Sequence, residues 1–94
     1  MHFTFKGKPI LPTKTALYEL SDIDVNLHEV PEILDKGFAV RKRGKNIIER
    51  GVQRGNKVIN VVVVDLGRYY KLIHAGMFTL SKKFKKLKRD KNGI

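Results

Sequence analysis

The run Val58, Ile59, Asn60, Val61, Val62, Val63, Val64 narrows most sharply what this chain can become. Side chains branched at Cβ are stiff and crowd a helix, whereas they pack well on a pleated surface, so the run reads as a strand. It is apolar on both faces. A strand of that kind belongs in the interior of a sheet that is covered on at least part of each side. Its neighbours in sequence supply partners: after Gly37 the spacing of apolar residues turns from helical to alternating. This predicts strands over residues 38–43, 47–53, 58–65 and 68–76, with turns at Gly44-Lys45-Asn46, Arg54-Gly55-Asn56-Lys57 and Leu66-Gly67. Consecutive strands joined by such short turns form an antiparallel meander. A chain of 94 residues has room for one modest core. It has no cysteine, so packing alone must hold the fold.

Before Gly37 the pattern is different. Phe3, Thr4, Phe5 and Lys6 read as a short edge strand, ended by Gly7-Lys8-Pro9. Thr13 is placed to cap a helix whose Ala16, Leu17 and Leu20 share a face, with Ser21-Asp22 at its end. A second helix is predicted over residues 27–36, with Asn26 and Glu29 spaced as a capping box, Val30, Ile33 and Leu34 facing inward, and Gly37 as a stop. Pro31 either kinks that helix or marks its true beginning. At the other end, Met77, Leu80, Phe84 and Leu87 fall at helical spacing among lysines and predict a basic amphipathic helix over residues 77–89. The expected fold class is therefore α+β: a short N-terminal strand and a two-helix hairpin packed on a three- to four-stranded antiparallel sheet, with a basic C-terminal amphipathic helix. Residues 1–78 would form the single domain and 79–94 a basic tail or helix.

The charge is the strongest functional signal. The net charge is +11, and it is unevenly spread. Residues 15–35 hold six acids (Glu19, Asp22, Asp24, Glu29, Glu32, Asp35) and no lysine or arginine, whereas residues 36–94 hold 17 basic residues and three acids. An acidic hairpin turned away from a basic sheet would leave a surface that attracts phosphate backbones. The residues expected to meet a nucleic acid are Arg41, Lys42, Arg43, Lys45, Arg50, Arg54, Lys57, Arg68, Tyr69 and Lys71 on the sheet and its turns, with Lys82, Lys83, Lys85, Lys86, Lys88 and Arg89 in the tail. Lysine and arginine pair with phosphates, and tyrosine stacks on unpaired bases, which favours RNA over DNA. The same sheet residues also read as an ordinary solvated face. The same tail also reads as a helix docked on the protein's own core or lying on an acidic membrane surface. The N-terminus lacks the apolar core of a signal peptide and the longest apolar run, Val61 through Val64, is too short to span a bilayer, so a cytoplasmic protein is expected.

Signals for catalysis are sparse. His2, His28 and His74 are far apart in sequence, and no His-Glu-x-x-His, Gly-x-Ser-x-Gly or phosphate-binding loop occurs. No metal site or cofactor is implied. Gly51-Val52-Gln53-Arg54-Gly55 reads as a hairpin connection. What chemistry survives is metal-free RNA cleavage, with arginine stabilising the charge of a phosphorane and His, Tyr or Lys moving protons. Arg50, Arg68, Tyr70 and His74 are the candidate catalytic residues.

Thr15-Ala16-Leu17-Tyr18-Glu19, then Ile23 and Val25, then Val30-x-x-Ile33-Leu34-x-x-Gly37, followed by the valine-rich strand and Tyr69 through His74, resembles the RelE/ParE-like toxin superfamily. The nearer likeness is to the small families around it whose first helix carries a His-Ala-x-x-Arg motif. Here the histidine and arginine of that motif are Thr15 and Glu19, which puts cleavage in doubt. The resemblance covers roughly residues 11–76. It implies a basic sheet face that binds RNA held on the ribosome, and an antitoxin-like protein partner that covers it. Three functions follow as expectations: a nucleic-acid-binding or ribosome-associated protein, a metal-free endoribonuclease toxin, and a protein-interaction module without a nucleic-acid role. Oligomeric state has no signature in the sequence.

Overall fold

The structure is a computed structural model, and it describes residues 3–41 and 43–80. Two short strands, β1 (Thr4–Phe5) and β2 (Lys8–Pro12), lead into helix α1 (Lys14–Asp22). A 3-10 turn (Leu27–Glu29) then runs into helix α2 (Val30–Lys36). Strands β3 (Phe38–Ala39), β4 (Ile47–Arg54), β5 (Lys57–Asp65) and β6 (Tyr70–Thr79) follow. All six strands join one sheet in the order β1-β2-β6-β5-β4-β3. The valine-rich strand β5 is interior, paired antiparallel with β4 on one side and β6 on the other. Strand β2 lies parallel to β6, with Ile10, Leu11 and Pro12 opposite Tyr70, Lys71 and Leu72.

Direct pairing assigns residues to the two faces, because side chains opposite each other in a ladder point the same way. One face carries Ile48 and Val52 of β4, Ile59, Val61 and Val63 of β5, and Tyr70, Leu72 and Ala75 of β6. The helices cover it, and Ala16, Leu20, Val30, Ile33 and Leu34 close the core against these residues. Each fully buried Leu, Ile or Val contributes roughly 1.5–3 kcal/mol by leaving water. On the opposite face no helix packs among the described residues. That face has a buried layer of its own, in which Val58 and Val62 are fully covered. Gly51 permits it: a Cβ there would come within 2.9 Å of both Val40 Cγ2 and Val58 Cγ1.

Local chemistry explains where the helices begin and end. Thr13 Oγ1 accepts the Ala16 N–H at 3.0 Å and starts α1. At its end the Val25 N–H reaches back to the Leu20 carbonyl and the Asp24 N–H to that of Ser21, with Asp24 left-handed at φ 56°. This is a Schellman closure made with aspartate where glycine is usual. The Asn26 N–H donates to Glu29 Oε2 at 2.8 Å, the reciprocal half of a capping box. Pro31 sits in the first turn of α2, where its missing N–H costs nothing, and the segment before it is a 3-10 turn. Gly37 stops α2 for a steric reason, since its φ of −72° suits any residue, but a Cβ would collide with the Ile33 carbonyl and approach the Gly51 carbonyl at 2.8 Å.

Three expectations need correction. The sheet has six strands, because the segment expected to end at Gly7-Lys8-Pro9 turns back as a second strand. Lys6 and Gly7 both have positive φ, the signature of a two-residue type I′ hairpin, and β2 then runs through both Pro9 and Pro12. Strand β3 has only two residues, so most of the segment predicted over 38–43 is loop. The C-terminal helix is not formed where it was expected to begin: Met77, Phe78 and Thr79 are the last residues of β6, paired with Ile59, Val58 and Lys57. The remainder of that predicted helix, residues 81–89, lies outside the described residues, as does the rest of the tail. No helix among the described residues is long and apolar enough to cross a membrane.

Candidate nucleic-acid interface

The face opposite α1 and α2, helix-free among the described residues, is organised in rows across the strands. Leu11, Lys71, Val64 and Ile47 form one row; His74, Val62 and Glu49 form the next; Gly76, Asn60, Gly51 and Phe38 form the third. In the middle sits a carboxylate that sequence reasoning did not single out. The Glu49 side chain has 0% of its surface exposed. Its Oε1 accepts Arg43 Nε–H at 2.6 Å and lies 3.2 Å from Arg41 Nε. Its Oε2 accepts Asn60 Nδ2–H at 2.6 Å. After Val40, whose N–H still reaches the Glu49 carbonyl, the chain leaves the sheet edge and carries both arginines over this face. A buried carboxylate needs partners for its charge, and this one has two hydrogen-bond donors and a second guanidinium beside it. One clue was present in the sequence. Glu49 is the sole acid between Lys36 and Val64, on a strand and close to two arginines spaced by one residue.

His74 follows an irregularity in the ladder: Val62 opposes His74 and Val63 opposes Leu72, so Ile73 is the extra residue of a bulge. The bulge lies where β2 has ended and the outer edge of β6 is open. Glu19 of α1 fills that gap, with Oε1 accepting the Ala75 N–H at 3.1 Å and lying 3.4 Å from His74 Nδ1. Glu19 thus serves as an acceptor for a strand edge.

Comparison of the chain with protein-family models, with characterised proteins and with solved structures finds no match. Placement in the fold therefore has to sort the predicted residues. Arg41, Arg43 and Lys71 lie on the helix-free face, with exposed Lys45 on the loop leading into β4. Arg68 is exposed in the turn between β5 and β6, where Leu66 N–H donates to the Tyr69 carbonyl, and Tyr69 beside it is half-buried.

The other predicted residues fall elsewhere. Arg50 shares the helix-covered face with Val61 and Ala75 and is half-buried there. Arg54 is on that face too, and its Nη2 donates to Glu29 Oε1 at 2.7 Å. Lys57 pairs with Arg54 across the β4–β5 hairpin and is exposed. Tyr70 is 3% exposed, packs on Phe5 with ring centres 5.2 Å apart, and lies beneath Lys8 Nζ at 4.6 Å. It is a core residue, unavailable as a proton donor to an outside ligand. Lys42, Lys82, Lys83, Lys85, Lys86, Lys88 and Arg89 lie outside the described residues.

The segregation of charge is less complete than expected. The acidic hairpin does not simply turn away, since Glu29 reaches Arg54 and Glu19 reaches His74. Hydrogen bonds from the Asn26 N–H and then Arg54 hold the Glu29 carboxyl below its ordinary range. At the sheet's end Lys8 Nζ donates to Asp65 Oδ1 at 2.8 Å, and the Gly67 N–H donates to the same oxygen at 2.9 Å. These bonds lower Asp65 and raise Lys8 from their usual values. Among the described residues this face carries few exposed acids: Glu49 is buried, Asp65 shares the register of Tyr70, and of the acids in residues 19–35 Glu19 meets the face at the β6 edge, beside His74. No ion-pair partner among the described residues reaches Lys45, Arg68 or Lys71. Among the described residues no three His, Cys, Asp or Glu side chains group closely enough to hold a metal ion.

Proposed function

We propose that this protein binds a single-stranded nucleic acid, RNA in preference to DNA, across the helix-free face of its sheet. The observation that carries this reading is that the face presents Arg41, Arg43 and Lys71, with exposed Lys45 and Arg68 in the adjoining loops, while Glu49, the acid among them, is buried. Spaced cations without interleaved acids match the regular charge of a phosphate backbone. Tyr69 and His74 offer rings on which an unpaired base can stack. The seven basic residues between 82 and 91 add to the attraction whatever their arrangement. Kinship with the RelE/ParE-like toxins, and with it an antitoxin-like partner, belongs to the same proposal. In its favour stands the chain order of two helices followed by an antiparallel meander. Against it stand Thr15 and Glu19 in place of the motif's polar pair.

The test is fluorescence anisotropy of a labelled single-stranded RNA across a salt series. The expected result is an affinity whose logarithm falls linearly with the logarithm of salt, as counterion release requires. An affinity indifferent to salt would remove the proposal.

A second reading, metal-free RNA cleavage, is favoured by one fact: Glu49 and His74 lie in the same row on the same face, with Val62 between them. Two strand spacings put them about 10 Å apart at the backbone. With its side chain fully covered and its carboxylate facing Arg41, Arg43 and Asn60, Glu49 cannot be reached by a ligand, and binding is therefore placed ahead of cleavage. Incubation of a labelled message with wild type and His74→Ala separates the two, since cleavage that persists unchanged in the variant rules out the pair.

A further inference from the structure

We infer that Glu49 is a positioning residue that holds Arg41 and Arg43 together as a fork for one backbone phosphate of that single strand, an inference that rests on the nucleic-acid reading above. Both arginines use Nε on the same oxygen, at 3.2 and 2.6 Å. Two guanidiniums repel each other; the backbone is tied to β4 on either side of the pair, by Val40 N–H to the Glu49 carbonyl and by the Gly44–Ile47 bridge, and the shared carboxylate is where the two side chains meet. Asn60 occupies the other carboxylate oxygen and keeps the group from rotating away. Glu49 is fully covered, which leaves it nothing to offer a ligand directly.

The arginines have much to offer. Each guanidinium carries five N–H donors, and Nε is the atom that meets Glu49 in both, as a hydrogen bond from Arg43 and as an ion contact from Arg41. The terminal amino groups have no partner among the described residues, and the side chains keep 60% and 36% of their surface open at Arg41 and Arg43. Two cations facing one anion leave an excess of positive charge. A phosphodiester has two unesterified oxygens, and planar guanidiniums pair with such oxygens through parallel N–H bonds. Lysine would supply the charge without this geometry. Lys71 on the same face, with Lys45 and Arg68 in the adjoining loops, none with an ion-pair partner among the described residues, favour a chain of phosphates over a lone carboxylate ligand.

The decisive experiment turns on a sign. Replacing Glu49 by glutamine raises the net charge by one, so simple attraction alone would tighten the grip on any polyanion. If Glu49 positions the fork, Glu49→Gln instead weakens binding of labelled oligouridine by roughly tenfold, the loss of about one charge-assisted contact. Affinity equal to or tighter than that of wild type overturns the inference and leaves the nucleic-acid reading standing. A wild type that does not bind in a salt-dependent way removes both. Circular dichroism establishes whether the variant folds. Should it not, Arg41→Lys with Arg43→Lys decides the matter, because it keeps the charge and removes the fork: a similar loss supports the inference, and unchanged affinity overturns it. Competition with oligodeoxythymidine and with an oligoglutamate peptide completes the test. Displacement by the DNA strand at the same fork-dependent strength supports a phosphodiester site, whereas equal displacement by the peptide overturns it.

Discussion

Asp65 and Glu29 each answer to named donors, and acidity acts on both. A carboxyl whose folded value is lowered stabilises the fold above its unfolded value and loses that contribution as pH falls through the folded one. Both groups are lowered, so stability is expected to decline on acidification through and below the ordinary carboxylate range. Lys8 is raised, so its share is present below its ordinary value and fades as strong alkali takes its proton. Denaturant midpoints measured across the acid range check this: Glu29→Gln with Asp65→Asn should flatten the acid limb relative to wild type. A purely apolar contrast is Leu72, which is fully buried between the sheet and the helices. Leu72→Ala is expected to cost about 2–5 kcal/mol in the same assay.

Two residues hold backbone conformations that their side chains resist. Lys6 at φ 53° opens the β1–β2 hairpin and Asp24 at φ 56° closes α1, both in the left-handed region where a Cβ is disfavoured by roughly 1–2 kcal/mol. Asparagine tolerates that region better and glycine avoids the clash. Lys6→Asn and Asp24→Gly should each raise stability by up to about 1 kcal/mol, read from the thermal midpoint. These positions also show where local sequence reading stopped. The valine run, the Thr13 cap and the Asn26-Glu29 spacing announced β5, α1 and the approach to α2 because each depends on near neighbours. Strand β2 was hidden by its prolines, which β1 and the parallel partner β6 accommodate through Ile10 N–H to the Phe3 carbonyl and Thr13 N–H to that of Leu72. The extension of β6 to Thr79 was hidden because Met77 and Leu80 also fit a helical spacing, and only pairing with β5 decides between the two. On the proposed binding face, the cations are visible in the sequence as residues, but Glu49, Asn60 and the side of the sheet to which each arginine belongs depend on register.

Among the described residues cations lie on both sides of the sheet, which lets the two sides be compared. Lys14 and Lys36 sit on the helices, whereas Lys71 and Arg68 sit on or beside the helix-free face, and all four are exposed. Arg68→Ala with Lys71→Ala should therefore weaken RNA binding and reduce its salt slope by up to about two, whereas Lys14→Ala with Lys36→Ala, equal in net charge, should change both much less. Equal effects would point to diffuse attraction without a preferred face. The edge of β6 bears on a different property. A strand that outlasts its neighbour leaves amide groups with which another chain can pair, and proteins commonly guard such edges with charge. Here Glu19 covers the Ala75 amide from an adjoining helix. Solubility at high concentration is thus governed partly by α1: with Glu19→Ala the exposed amide becomes a template for stacking copy upon copy, and light scattering that rises with protein concentration would be its trace.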